Sequence, residues 1–157
     1  MVASKEDDAP LADRLRGHAR RLAGEIGERN VFRPGALHAA EMYERDVWIR
    51  QGHAVADQEY LAAGVRSANL EIRLAERSAG QSIVIGAHYD TVTHSPGADD
   101  NASAVAVLLE LGHLLGDAHL GCELRLVAFV NEESPFFFTQ RQGSRVYARA
   151  ARQRGDR

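Results

Sequence analysis

The run Ile83-Val84-Ile85-Gly86-Ala87-His88-Tyr89-Asp90 decides how this chain is read. With Ser82 before it, the first part is near-continuously apolar, which predicts a strand buried on both faces. Chemically capable side chains, His88 and Asp90, follow at once where that strand should end. A loop to Asp100 separates it from Asn101 to Leu115, where Val105, Leu108, Leu109, Leu111 and Leu115 mark an apolar helix. Glu123 to Val130 is a second apolar run and predicts another buried strand. Strand, helix and strand in that order form a crossover, which places parallel strands in one sheet. In such sheets, binding sites form beyond the carboxyl ends of the central strands.

Upstream the period changes. Leu11, Leu15, Leu22 and Ile26, with Ala19 and Ala23, predict a helix from about Pro10 to Arg29, with Asp8 as a cap. A second helix is expected over 34–51, closed by Gly52 in the left-handed conformation. A strand fits His53 to Tyr60. Asn69 to Arg77 alternates, with Leu70, Ile72 and Leu74 on one face, and reads as a half-buried strand before a turn at Ser78-Ala79-Gly80. A loop over 131–142 and a last helix over 143–154 complete the order. The fold class expected is therefore α/β: three layers, α/β/α, around a mixed, mostly parallel sheet. Residues 1–9 are expected to form a disordered polar tail.

Composition narrows the function. Nineteen basic and 22 acidic residues leave a net charge of −3, without the basic excess of a nucleic-acid binder. One cysteine, Cys122, excludes an internal disulfide framework and gives a structural zinc site no thiolate pair. Acidic residues stand where a secretory signal would be apolar, and no apolar run approaches the ~20 residues of a membrane span. A cytoplasmic location without membrane contact is expected.

Three polar clusters carry chemistry. In His88-Tyr89-Asp90 one side chain can ligate a metal while the other orients it. Taken alone, a polar strand end is the commoner explanation. Asp99-Asp100 opens the helix, where one aspartate can cap exposed amides and the other can face a metal. Glu132-Glu133 follows the second strand. A surface loop would explain it, but adjacent residues leaving a strand point in different directions. One carboxylate can then bind a metal while its neighbour serves as general base. A histidine with several carboxylates and no thiolate suits catalytic zinc, with manganese or cobalt possible. His94, in the intervening loop, is a weaker candidate. Ser103 and Ser144 lack the setting of a serine nucleophile.

Together with Ser95-Pro96-Gly97-Ala98-Asp99-Asp100-Asn101-Ala102-Ser103, Ala128 to Glu133 and Gly143-Ser144-Arg145-Val146-Tyr147-Ala148, these runs resemble the co-catalytic dizinc aminopeptidases typified by bacterial leucyl aminopeptidases. The resemblance covers roughly residues 10–150 and implies a zinc-exopeptidase-like fold. It implies two zinc ions: His88 on one, Asp100 bridging both and Glu133 on the other. It further implies Glu132 as general base, Asp90 as the residue that holds His88 in its ligating tautomer, and a peptide substrate hydrolysed through a metal-activated water. The family adds an aspartate and a histidine further downstream, whereas here no histidine follows Glu133 and the only later acid is Asp156. The expectation is thus that 10–157 is the N-terminal part of a zinc peptidase-like domain, lacking the last two ligands and by itself weak in metal binding and inactive. Two alternatives stand beside it: a zinc acyltransferase of the glutaminyl cyclase type, and a non-catalytic interaction domain. The intact Gly97-Ala98-Asp99-Asp100-Asn101 favours the peptidase over the cyclase.

Overall fold

The computed structural model describes residues 10–74, 82–119 and 121–156. Asp8, residues 75–77 of the expected alternating strand and the turn at Ser78-Ala79-Gly80 lie outside the described residues. Helix α1, Leu11–Ala19, starts where the Pro10 carbonyl accepts the Asp13 and Arg14 amides. It widens into a π-type segment, Arg20–Ile26, and ends at Gly27 with φ of 78°. Helix α2, Pro34–Arg50, has proline at its first position, where no amide partner is lost. It closes as expected at Gly52, φ 91°: the Gly52 amide donates to the Ile49 carbonyl and the His53 amide to that of Trp48.

Four strands follow: β1, Ala56–Ala62; β2, Val65–Leu74; β3, Ser82–His88; and β4, Glu123–Phe129. Helix α3, Ser103–Leu115, makes the crossover between β3 and β4, and α4, Gly143–Arg154, ends the chain's described part. The sheet order is β1-β2-β4-β3. It is mixed, as expected, but its parallel share is smaller. Only β3–β4 is parallel, while β1–β2 and β2–β4 are antiparallel, because one crossover helix separates the described strands.

One sheet face carries Leu70, Ile72, Leu74, Leu124, Leu126 and Ala128, all buried in one core with Leu37, Val47 and Trp48 of α2 and Val105, Leu108 and Leu109 of α3. The other face is polar and lies against α4. There the Tyr147 hydroxyl donates to Glu71 at 2.6 Å, and Arg125 pairs with Asp156 at 2.7 Å. Helices on both faces give the three layers. Strand β2 is buried on both faces rather than half-buried, because it is central and α4 covers its polar side. Strand β3 departs the other way. It is an edge strand, and Ile83, Val84 and Ile85 are 51%, 44% and 38% exposed. Its apolar run is therefore not buried on both faces within the described residues. Among those residues, no helix is long and apolar enough to cross a membrane.

Candidate metal centre

Parallel pairing of β3 with β4 aligns their carboxyl ends, with His88 opposite Phe129. The chain leaves both strands at the same end of the sheet, so the segment after β3 and the segment after β4 meet there. The Tyr89 amide donates to the Phe129 carbonyl at 2.9 Å. Asp100 arrives from the turn before α3, and Glu133 lies just beyond β4. Ligand atoms of His88, Asp100 and Glu133 all lie within 4.8 Å of one another. His88 Nε2 is 3.0 Å from Asp100 Oδ1 and 4.0 Å from Glu133 Oε1. The three residues expected to ligate metal are thus brought together, at distances that let all three share one ion.

Burial and crowded carboxylates shift the ionisation of this group. Burial pushes the Glu133 carboxyl up, and the nearby Asp100 charge pushes it further. Burial would lower the His88 imidazole, but the carboxylates of Asp90 and Asp100 outweigh it and hold the ring up at about 9. A divalent ion would relieve the crowding of Asp100 and Glu133. One imidazole nitrogen with carboxylate oxygens is also a donor set that zinc accepts. The residues present therefore fit such an ion.

Asp90 is 2% exposed. Its backbone carbonyl lies 3.2 Å from His88 Nδ1 and accepts the proton there, so Nε2, which faces Asp100 and Glu133, is the nitrogen that would give up its proton to take an ion. Its carboxylate is 3.6 Å from Nδ1. That carboxylate chiefly accepts the Glu132 and Glu133 amides, at 3.1 and 3.0 Å. Asp90 thus fixes the backbone of the glutamate pair as well as the ring of His88, a double duty the H-x-D spacing did not suggest.

Glu132 points elsewhere. Its Oε1 accepts the Ser144 amide at 2.5 Å, and its Oε2 accepts the Gln142 side-chain amide at 2.7 Å and the Ser144 hydroxyl at 2.9 Å. The carboxylate sits at the N-terminus of α4, where the helix dipole favours negative charge. Ser144 and Gln142 were not read as functional. The only available signal was the place of Gly143-Ser144 in a recognisable run.

Other expectations resolve plainly. Asp99 and Asp100 make no side-chain cap to the helix, so capping does not explain the pair. His94 is not among the residues grouped around His88. Asp156 is held by Arg125 and Arg154 and takes no part. His18 lies between Tyr43 and Glu110, and His53 contacts the Gly112 carbonyl, both structural positions.

The family model described as Peptidase family M28 matches residues 69–157, more than half the chain. The chain belongs to peptidase family M28. It is 34% identical over 144 residues to the "Uncharacterized protein YfbL" of Escherichia coli (strain K12), covering 87% of this chain and 44% of that protein. It is 43% identical over 51 residues to Aminopeptidase YwaD of Bacillus subtilis (strain 168), covering 32% of this chain and 11% of that one. Among solved structures, the glutaminyl cyclase of Fimbriiglobus ruber superposes with a TM-score of 0.75 at 21% identity, covering 94% of this chain and 57% of that chain. That likeness shows the shared α/β fold. The chain spans less than half the length of the two curated relatives.

Proposed function

We propose that His88, Asp100 and Glu133 bind zinc and that the protein is a metallopeptidase of the aminopeptidase type acting on peptides. The observation that carries this reading is the convergence of the three donors at the paired ends of β3 and β4. Family membership and the stretch shared with an aminopeptidase support it. A bound divalent ion lowers the pKa of water and polarises a carbonyl.

The chain's own residues do the rest. His88 offers Nε2 because the Asp90 carbonyl faces Nδ1. Asp90 holds the amides of Glu132 and Glu133, which sets the direction in which each carboxylate leaves the backbone. Glu132 is the general base, taking a proton from the attacking water and giving it to the leaving amine. Its oxygens accept three hydrogen bonds from Ser144 and Gln142, one on Oε1 and two on Oε2, which leaves a lone pair of Oε1 to take that proton.

The glutaminyl cyclase alternative rests on fold likeness, while the unaltered Asp99-Asp100-Asn101 run favours hydrolysis. Zinc uptake measured together with two substrates decides. Release of the amine from an aminoacyl anilide supports the peptidase. Cyclisation of an N-terminal glutamine peptide without cleavage overturns it in favour of the cyclase.

A further inference from the structure

Arg29 lies in the connection between α1 and α2, ahead of the region the family model matches, and it is fully buried. Its guanidinium donates to five backbone carbonyls from three separate segments. Nε reaches Tyr89 at 2.6 Å. Nη1 reaches Leu22 at 3.3 Å, Gly27 at 3.0 Å and Pro96 at 2.7 Å, and Nη2 reaches Gly97 at 3.2 Å. The backbone adds two further ties: the Arg29 amide donates to Thr91 Oγ1 at 3.1 Å, and the Thr91 amide to the Arg29 carbonyl at 2.9 Å.

These partners are not scattered. Tyr89 is the residue after His88, and Pro96 and Gly97 lie just before Asp100. One rigid fork therefore grips both ends of the loop that separates two metal-ligand candidates. Gly97 is built for that close approach. Its φ is +58°, and a Cβ there would stand 2.5 Å from Thr91 Cγ2, 2.6 Å from the Asp100 carbonyl and 3.4 Å from Arg29 Nη2. A lysine, a single point charge, cannot span the same five acceptors.

We propose that Arg29 is a positioning residue for the metal centre: by fixing the Tyr89, Pro96 and Gly97 carbonyls on one guanidinium, it sets the placement of Asp100 relative to His88. The proposal rests on the metal-site reading above. A purely stabilising arginine is the competing explanation, and Arg125 is a matched control. It is buried too, and pairs with Glu123 and Asp156 on the opposite sheet face.

The test compares Arg29→Lys, Gly97→Ala and Arg125→Lys in the full chain. It uses cobalt(II) affinity and visible absorption, and backbone hydrogen exchange over 91–99 in metal-free protein. We expect Arg29→Lys and Gly97→Ala to lose about 10–100-fold in cobalt affinity, the scale of residues that orient ligands. Exchange over 91–99 should rise in both. Arg125→Lys should lower the thermal midpoint with affinity and local exchange unchanged. Wild-type cobalt affinity in Arg29→Lys overturns the proposal, as does an exchange increase spread evenly over the chain. If the arginine variant does not fold, Gly97→Ala decides by the same two readouts. Cobalt binding by the unaltered chain no tighter than by its His88→Ala variant overturns the metal reading itself, and the ligand-positioning claim with it; the exchange data then report separately whether Arg29 holds the loop.

Discussion

His88 stands among three acidic side chains, with Asp90 at 3.6 Å on one ring nitrogen and Asp100 at 3.0 Å and Glu133 at 4.0 Å on the other. Burial pushes the Glu133 carboxyl up and the neighbouring Asp100 and Asp90 charges add to it, and a cation at Nε2 would offset that repulsion. Removing a donor should therefore cost more than removing a residue that only orients one. His88→Ala is expected to weaken zinc binding by more than about 100-fold, beyond the upper end for orienting residues. Calorimetric titration checks it, and retained affinity would mean the ion sits elsewhere. Glu132 is different, since its carboxylate is bonded to Ser144 and Gln142 and is not one of the grouped donors. In a protein of the relatives' full length, Glu132→Gln should keep zinc and lose about 10²–10⁴-fold in turnover of an aminoacyl anilide, the range for general base catalysis. Loss of zinc in that variant would reassign Glu132 as a ligand.

The elements explain how residues so far apart in sequence meet. Asn69 of β2 accepts the Val130 amide at 3.0 Å and donates to the Gly143 carbonyl at 2.9 Å, which ties the end of β4 to the start of α4. A Cβ on Gly143 would fall 2.2 Å from the Val130 carbonyl oxygen. Gly143→Ala should thus displace the helix start that holds Glu132 and destabilise the fold by about 1–3 kcal/mol, read as a shift in the denaturant midpoint. On the other face, Glu110 of α3 is gripped by Arg14 at 2.7 Å and His18 at 3.0 Å. Burial pushes its carboxyl up, but these two partners outweigh it and hold it below the usual range. A depressed carboxyl contributes stability above its ordinary pKa, near about 4.3, and loses it as pH falls further. Glu110→Gln should therefore cost about 1.5–3 kcal/mol of stability at neutral pH, the scale for hydrogen bonds to a charged group, read as a lower thermal midpoint. It should also flatten the decline below about pH 4.3. An unchanged acid limb would contradict this.

Much of this architecture was legible in the sequence, for definite reasons. Helix and strand periods, Gly52 and the strand–helix–strand order are local signals; strand ends and a helix start mark His88, Asp99-Asp100 and Glu132-Glu133 as candidates, and only the family resemblance singles out Asp100 and Glu133 as ligands. Arg29, Asn69 and Ser144 were not legible. Their partners lie dozens of residues away or depend on a helix start, and no short spacing records a guanidinium reaching five carbonyls.

At the scale of the whole molecule, the described sheet ends at β3, whose Ile83, Val84 and Ile85 face solvent on an unpaired edge. A flat apolar edge strand is a site for pairing with another chain. Replacing Val84 by Lys should reduce self-association of this chain in light scattering, and unchanged association would place the sticky surface elsewhere. The two curated relatives are each more than twice as long as the part matched here. The three grouped candidate donors, His88, Asp100 and Glu133, all come from within this chain, and the account assigns zinc to them. Zinc K-edge X-ray absorption of the zinc-loaded chain tests that claim most directly. The account predicts a first shell of nitrogen and oxygen with an imidazole signature that disappears in His88→Ala. A sulfur shell at about 2.3 Å, which would implicate Cys122, or an imidazole signal that survives His88→Ala, would contradict it.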